Sequence, residues 1–203
     1  MVDKIKNVSS KAIIAFTAIM LVAVFITKGL LGYVAETAAF KNGSLETYTI
    51  TATDFEWNGI REKNGRIITT DNDPQMTLEK SQKFTALKFY MDASIHPGEM
   101  VIYYTEPGDA GFSVQKRLWI VPDDEIGWYK VETSLKNVTA LRVDPTMYAG
   151  NVLIFGDFIF NQEKTFGDYF VVSYVDVFYL LVYTGIISSI LKFLQEIIKK
   201  EID

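Results

Sequence analysis

Hydrophobic residues form two long runs at the ends of the chain, whereas charged residues crowd the middle. The first run extends from Ala12 to Ala35 and contains a single charge, Lys28. A helix of this length would measure about 36 Å, and the hydrocarbon core of a bilayer is about 30 Å thick. The pattern therefore predicts a transmembrane helix over residues 12–35, preceded by a short segment over residues 1–11.

The second run extends from Tyr169 to Leu191 and also contains a single charge, Asp176. A buried core helix would usually be shorter and would show a polar stripe. We therefore predict a second transmembrane helix over residues 169–191. The tail at 192–203 keeps an amphipathic pattern, which predicts that it continues the helix into or along the membrane interface.

Basic residues flank both runs on their outer sides, which by the positive-inside rule places both termini in the cytoplasm. These residues are Lys4, Lys6, Lys11, Lys192, Lys199 and Lys200. Residues 36–168 would then form an extracytoplasmic domain. A cleaved signal peptide is the alternative for the first run, since Thr37-Ala38-Ala39 resembles a cleavage site. The run is longer than a typical signal-peptide core, which favours an uncleaved signal anchor.

Lys28 and Asp176 are the two charges inside the predicted membrane helices, where charges are costly and are candidates for function. Counted from the ends of the helices, both lie about 10–12 Å below the outer membrane boundary. Their opposite signs predict an ion pair between the helices. Alternatively, Lys28 extends to the lipid headgroups and Asp176 meets a polar group of a separate protein.

Between the helices the hydrophobic pattern changes to a period of two, which is typical of half-buried strands. Leu87, Phe89 and Met91, for example, alternate with Lys88 and Tyr90. Turns rich in Gly, Pro, Asn and Asp separate the segments, and this spacing predicts an all-β sandwich of jelly-roll type. The predicted strands are Leu45–Phe55, Gly65–Thr70, Met76–Glu79, Phe84–Met91, Met100–Thr105, Ser113–Val121, Trp128–Thr133, Thr139–Val143 and Asn151–Phe160.

Composition excludes several classes of function. The net charge of −5 argues against a nucleic-acid surface, and no glycine-rich phosphate loop is present. The absence of cysteine excludes disulfides and zinc–thiolate sites. His96 is the only histidine and lies in a turn-like segment, so a cluster of histidine ligands is excluded.

Two short motifs carry a family resemblance, Asp73-Pro74 within Thr70–Met76 and Arg142-Val143-Asp144-Pro145 followed by Gly150–Ile154. They resemble the extracytoplasmic jelly-roll domains, akin to carbohydrate-binding modules, of bacterial membrane proteins in polysaccharide and cell-envelope glycan synthesis. The resemblance covers about residues 46–162. Many members of that group are large glycosyltransferases, for which this chain has no room. The resemblance therefore implies an accessory subunit of the bacterial plasma membrane.

The motif residues also have a structural interpretation. Asp144 and Pro145 would end a strand through a turn, and Arg142 would pair with a carboxylate at a sheet edge. Asp71 and Asp73 are candidate ligands for a structural calcium ion, although formation of a turn is the simpler explanation. We predict no other cofactor.

Sugar binding needs aromatic side chains for stacking and polar groups for the hydroxyls. Trp57 has polar neighbours at a predicted strand end, so its candidate partners are Asp54 and Glu56. Trp128 and Tyr129 form a second candidate platform, whereas Trp119 lies among apolar residues and is predicted to be in the core.

These observations predict a non-catalytic, membrane-anchored accessory protein that binds glycan, docks onto a larger membrane glycosyltransferase or transporter, or both. One alternative is a structural subunit with protein contacts only. The other is an envelope glycan hydrolase, which would need two suitably spaced carboxylates.

Overall fold

The computed structural model describes residues 8–64 and 66–202, which belong to two compact units. The first unit comprises Met1–Val34 and Lys164–Asp203, and the second comprises Ala35–Glu163. Lys4 and Lys6 of the predicted basic flank and Gly65 of a predicted strand lie outside the described residues.

The first unit contains most of a long helix, α1 (Ser10–Lys41), and all of a second, α2 (Tyr174–Ile202). Both are long and apolar enough to cross a membrane. α2 begins five residues later than predicted, after a 3₁₀ turn at Phe166–Phe170. Ser173 fixes this start, because its backbone N–H and its hydroxyl both donate to the Asp176 carboxylate, at 2.9 and 2.6 Å. As predicted, the helix continues through the tail.

Within this unit two separate parts of the N-terminal segment contact opposite ends of the C-terminal segment. Near the middle of α1, Gly29 packs so tightly against Phe170 that an added Cβ would lie 2.7 Å from the ring. Tyr33 packs edge-on against Phe166, with ring centroids 5.1 Å apart. At the other end, the Gln195 side chain donates to the Val8 carbonyl at 3.0 Å. The two helices of the unit are therefore antiparallel.

The second unit contains two antiparallel sheets that pack as a sandwich, which confirms the predicted fold class at that level. The strands are β1 (Tyr48–Ile50), β2 (Glu56–Asn58), β3 (Ile60–Lys63), β4 (Arg66–Thr69), β5 (Gln75–Leu78), β6 (Gln82–Ala93), β7 (Val101–Thr105), β8 (Arg117–Trp119), β9 (Val121–Pro122), β10 (Trp128–Val138), β11 (Ala140–Asp144) and β12 (Val152–Phe160). One sheet has the order β3-β4-β12-β6-β10-β9, with β1 also paired to β12. The other has the order β2-β5-β11-β7-β8.

Aromatic and aliphatic side chains from both sheets fill the core. Phe84, Phe89 and Phe158 are fully buried, and the rings of Phe89 and Phe158 stack with centroids 4.9 Å apart. From the five-stranded sheet, Met76 and Ile102 are also fully buried. The alternation predicted for β6 is confirmed, since Leu87, Phe89 and Met91 all point into this core.

Two of the predicted strands are wrong in detail. Leu45–Phe55 is broken by a 3₁₀ turn at Ala52–Asp54, because Asp54 accepts hydrogen bonds from the backbone N–H and hydroxyl of Thr51. Ser113–Val121 begins with a second 3₁₀ turn, Val114–Lys116, so that only Arg117–Trp119 pairs with β7.

Candidate functional site

The outer face of the five-stranded sheet carries a group of aromatic and charged side chains from three strands. Successive residues of a strand point to opposite faces. Met76, Val143 and Ile102 point into the core and are fully buried. Their neighbours Arg142 and Tyr103 therefore point outward.

Cross-strand register aligns the outward side chains of three strands. Arg142 of β11 pairs with Tyr103 of β7, which pairs with Arg117 of β8. Adjacent strands lie about 4.8 Å apart, so the two arginine backbones are about 10 Å apart with the tyrosine between them. The next outward row holds Asp144 and Trp119 on either side of Val101. We call Tyr103, Arg117, Trp119, Arg142 and Asp144 the Arg–Trp face.

Trp119 and Arg117 form the open end of this face. The indole is 45% exposed, the highest exposure of the three tryptophans. The Arg117 guanidinium lies over its ring, with Cζ 4.5 Å from the ring centroid. Arg117 makes no ion pair within the part of the chain that the structure describes.

Arg142 occupies the closed end of the face. Its Nη2 donates to Asp144 Oδ2 at 2.8 Å. Its Cζ lies 4.4 Å from the centroid of the Tyr103 ring and 5.7 Å from that of Phe112. Aromatic planes thus hold the guanidinium from two directions, which is a favourable cation–π arrangement.

Phe112 is brought to the face by the loop between β7 and β8. Lys116 fixes this loop, because its Nζ pairs with Glu106 at 2.7 Å and with Asp109 at 2.6 Å. The backbone N–H of Glu106 also donates to the Asp109 carboxylate, and this hydrogen bond, followed by that from Lys116, lowers the pKa of Asp109.

Asp144 is only 8% exposed, and burial raises the pKa of its carboxyl to about 6 although the hydrogen bond from Arg142 opposes the change. Its Oδ1 and the Nε of Arg142 are buried and have no hydrogen-bond partner among the described residues. Buried polar atoms normally have partners. The pair is therefore an incompletely satisfied polar centre beneath an aromatic surface.

The sequence-predicted glycan candidates do not come together. Trp57 packs against the core, and its Nε1 donates to the Ala52 carbonyl at 2.7 Å. Tyr129 also packs against the core, with its ring stacked 5.9 Å from that of Phe89. Asp54 caps its own 3₁₀ turn, and these hydrogen bonds from Thr51 lower its pKa.

The remaining two candidates lie on different sheets. Glu56 is exposed on β2 and pairs with Thr77, in the same outward row as Arg142. Trp128 lies on β10 of the seven-stranded sheet, opposite Tyr90, and Lys88 lies over its ring at 5.0 Å. Lys88 and Lys130 both pair with Asp123 at 2.7 Å, so the cations of this second surface already have a carboxylate.

The family-motif residues fall into two groups. Asp71 and Asp73 form a turn, since the backbone N–H of Asp73 donates to Asp71 Oδ1 at 2.9 Å, and Pro74 and Pro145 are buried. Within residues 8–64 and 66–202, no three acidic or histidine side chains are arranged to hold a metal ion. Arg142 pairs with a carboxylate as predicted, but not at a sheet edge: its partner Asp144 lies on the same strand, at the centre of the sheet.

In the helical unit, the Asp176 carboxylate accepts two hydrogen bonds from Ser173. Lys28 is near enough to attract Asp176 electrostatically, but no direct ion pair joins them in the described residues. Lys28 instead lines a shallow groove along one side of α1, together with Met20, Ala23, Val24, Thr27 and Leu31.

Sequence reasoning missed Trp119, because its apolar neighbours suggested a core position. The alternation of Arg117, Leu118 and Trp119 could have revealed the exposed position of Trp119, because it puts Arg117 and Trp119 on the same face of the strand. The grouping of Trp119 with Tyr103 and Arg142 depends on pairing between distant strands, which local patterns do not reveal.

No protein-family model and no curated protein sequence matches the chain. Among solved structures, it is similar to a low-affinity xylan-binding module, CBM86, from Roseburia intestinalis, with 10% identity and a TM-score of 0.40. That match covers 58% of this chain and 96% of the module.

A mutant carbohydrate-binding module of family 29 has 12% identity and a TM-score of 0.42, over 66% of this chain and 97% of the module. A family 6 module from Clostridium stercorarium, solved with cellobiose, has 11% identity and a TM-score of 0.34, over 57% of this chain and 94% of the module. All three similarities are too distant to carry an argument about function.

Proposed function

We propose that this chain is a membrane-anchored, non-catalytic accessory protein of the bacterial plasma membrane whose jelly-roll-type domain binds glycan on the Arg–Trp face. The observation that carries the proposal is the grouping of Trp119, Tyr103 and Arg117 on one open surface. Aromatic planes suit the apolar faces of sugar rings, and guanidinium groups donate to hydroxyl oxygens. A few convergent polar groups on an apolar platform are typical of small-molecule binding surfaces.

The helices support membrane anchoring. A helix that is hydrophobic on all sides is usually buried in a protein core or in a membrane. Over the most apolar 18 residues of each span, 11% of the residues in the first span and none in the second are buried within the protein. A bilayer would cover these surfaces. Lys11 at one end and Lys192, Lys199 and Lys200 at the other favour both termini in the cytoplasm.

Docking onto a larger integral membrane protein is the second part of the proposal. It is supported by Lys28, a basic side chain within the predicted membrane span that has no direct ion pair in the described residues. Ala23 and Thr27, four residues apart in the same groove, would allow another helix to approach closely.

Replacing Trp119 with alanine tests the glycan site. We expect the affinity of the full-length chain, held in nanodiscs, for its preferred oligosaccharide to fall by about tenfold, since one stacking contact contributes roughly 1–2 kcal/mol. The preferred ligand is first found on a glycan array and the affinity is then measured by calorimetry.

The matched control is Trp128→Ala, which removes an indole from the outer face of the other sheet. It is expected to retain affinity. Loss of binding in the control and not in Trp119→Ala would move the site to the seven-stranded sheet, and absence of binding to every glycan on the array would refute direct recognition.

A further inference from the structure

We propose that the ligand of the Arg–Trp face is an anionic glycan, whose carboxylate or sulfate group is held by Arg117 while a sugar ring packs against Trp119. This inference rests on the proposed glycan-binding function and adds the chemical class of the ligand. It follows from the position of Arg117, an exposed cation that has no carboxylate partner in the described residues and lies over the exposed Trp119 ring.

Four other cations near the two outer faces already have carboxylate partners. Lys88 and Lys130 share Asp123, Lys116 is held by Glu106 and Asp109, and Arg142 is held by Asp144. Arg117 has no such partner in the described residues, although the chain has five more acidic than basic residues. Its positive charge is therefore left for an external anion.

The position of Arg117 prepares it for that anion. Its guanidinium lies over the Trp119 ring, and this cation–π contact holds the group beside the exposed indole. A guanidinium has five N–H donors in a planar fork that matches a carboxylate or sulfate, and none of them is committed to another residue described by the structure.

The two carboxylates in the outward rows of Arg117 and Trp119 are paired or distant. Asp144 is 8% exposed and paired with Arg142. Glu56 lies four strands from Arg117 in the same outward row, about 19 Å away at a spacing of about 4.8 Å per strand. Tyr103 fills the position between the two arginines. Within its own outward row, Arg117 thus has an aromatic neighbour, and no carboxylate of that row is nearer than Glu56.

The experiment compares ligands that differ only in charge. Full-length protein in nanodiscs is titrated with oligogalacturonate, with the same oligomer fully methyl-esterified, and with sulfated and unsulfated forms of one neutral galactan oligomer. We expect at least one acidic oligomer to bind about tenfold more tightly than its uncharged counterpart, and this preference to shrink as NaCl is raised. The two acidic ligands distinguish a carboxylate from a sulfate.

Arg117→Gln should abolish the preference, so that charged and uncharged oligomers bind with equal and weaker affinity. Arg117→Lys should restore only part of it, since lysine keeps the charge and loses the planar fork. Arg61→Gln is the matched control, because it removes one exposed arginine from β3 of the other sheet and should retain the preference.

Equal affinity for charged and uncharged oligomers would overturn the inference and leave the proposed function standing. Binding of inorganic sulfate with the same affinity as the sulfated oligomer would also overturn it, since the sugar would then contribute nothing. If these ligands and a panel of neutral xylo-, manno- and cello-oligosaccharides all fail to bind, the proposed function itself is refuted.

Discussion

Asp144 is the residue of the Arg–Trp face whose ionisation is most altered by its surroundings. Burial raises its pKa from the usual 3.8 to about 6, although the hydrogen bond from Arg142 favours the charged form. The folded protein therefore holds this proton more tightly than the unfolded chain does. It follows that the contribution of Asp144 to the free energy of unfolding decreases as the pH rises from about 4 to about 6.

We expect Asp144→Asn to remove this part of the pH dependence. The free energy of unfolding would be measured from pH 4 to pH 7 by denaturant titration, with tryptophan fluorescence as the signal. All three tryptophans lie in the sandwich unit, so the signal reports on that unit in the full-length chain. An unchanged slope in Asp144→Asn would contradict the assignment.

Asp123→Asn serves as the control, since the pKa of Asp123 is shifted in the opposite direction from that of Asp144. Hydrogen bonds from Lys130, and secondarily from Lys88, lower the pKa of the Asp123 carboxyl far below its usual value. Its stabilising effect is therefore present throughout the range from pH 4 to pH 7 and is lost only at lower pH. The variant should be less stable than the wild type but retain the wild-type slope.

At the scale of the elements, strand β12 shows why the core needs more than regular alternation. Phe155 and Phe158 are three residues apart and would point to opposite faces of a regular strand. A shift in the register with β6 between these residues lets both face the core, where their centroids are 5.4 Å apart. Phe158 also packs against Phe55 and stacks on Phe89.

Phe158→Ala should therefore destabilise the sandwich by about 3–5 kcal/mol, because it removes a fully buried ring and leaves a cavity. The same tryptophan-detected denaturation measures this loss. Ile126→Ala is the control, since Ile126 is 99% exposed and its truncation should change stability by less than about 0.5 kcal/mol. Comparable losses in the two variants would contradict the packing described for β12.

The elements also show how far the sequence alone could predict this protein. Alternation identified the sandwich and the inward face of β6, because a period of two is a local property of one strand. The turn at Ala52–Asp54 was missed because the side chain of Asp54 competes with the strand for the backbone of Thr51. The Arg–Trp face was missed because its members belong to three strands, and their register is set by the fold as a whole.

At the scale of the whole molecule, the two apolar spans raise the question of what covers them. Lipid would cover them if the chain crosses the bilayer twice. In that arrangement the long segment between the spans lies on one side of the membrane and both termini lie on the other. The basic residues beside the termini favour the cytoplasm for them, and the proposed topology would then put the sandwich outside, in the compartment of the proposed glycan ligand.

Cysteine labelling tests this topology directly, because the chain has no cysteine of its own. In intact cells we expect a membrane-impermeant maleimide to label Ile126→Cys, a 99% exposed position of the sandwich, and to spare Glu196→Cys near the C-terminal end of α2. Permeabilised cells should label both variants, since Glu196 is also exposed. Labelling of Glu196→Cys in intact cells, or protection of Ile126→Cys, would contradict the proposed topology. The Arg–Trp face would then not lie in the compartment in which it is proposed to bind glycan.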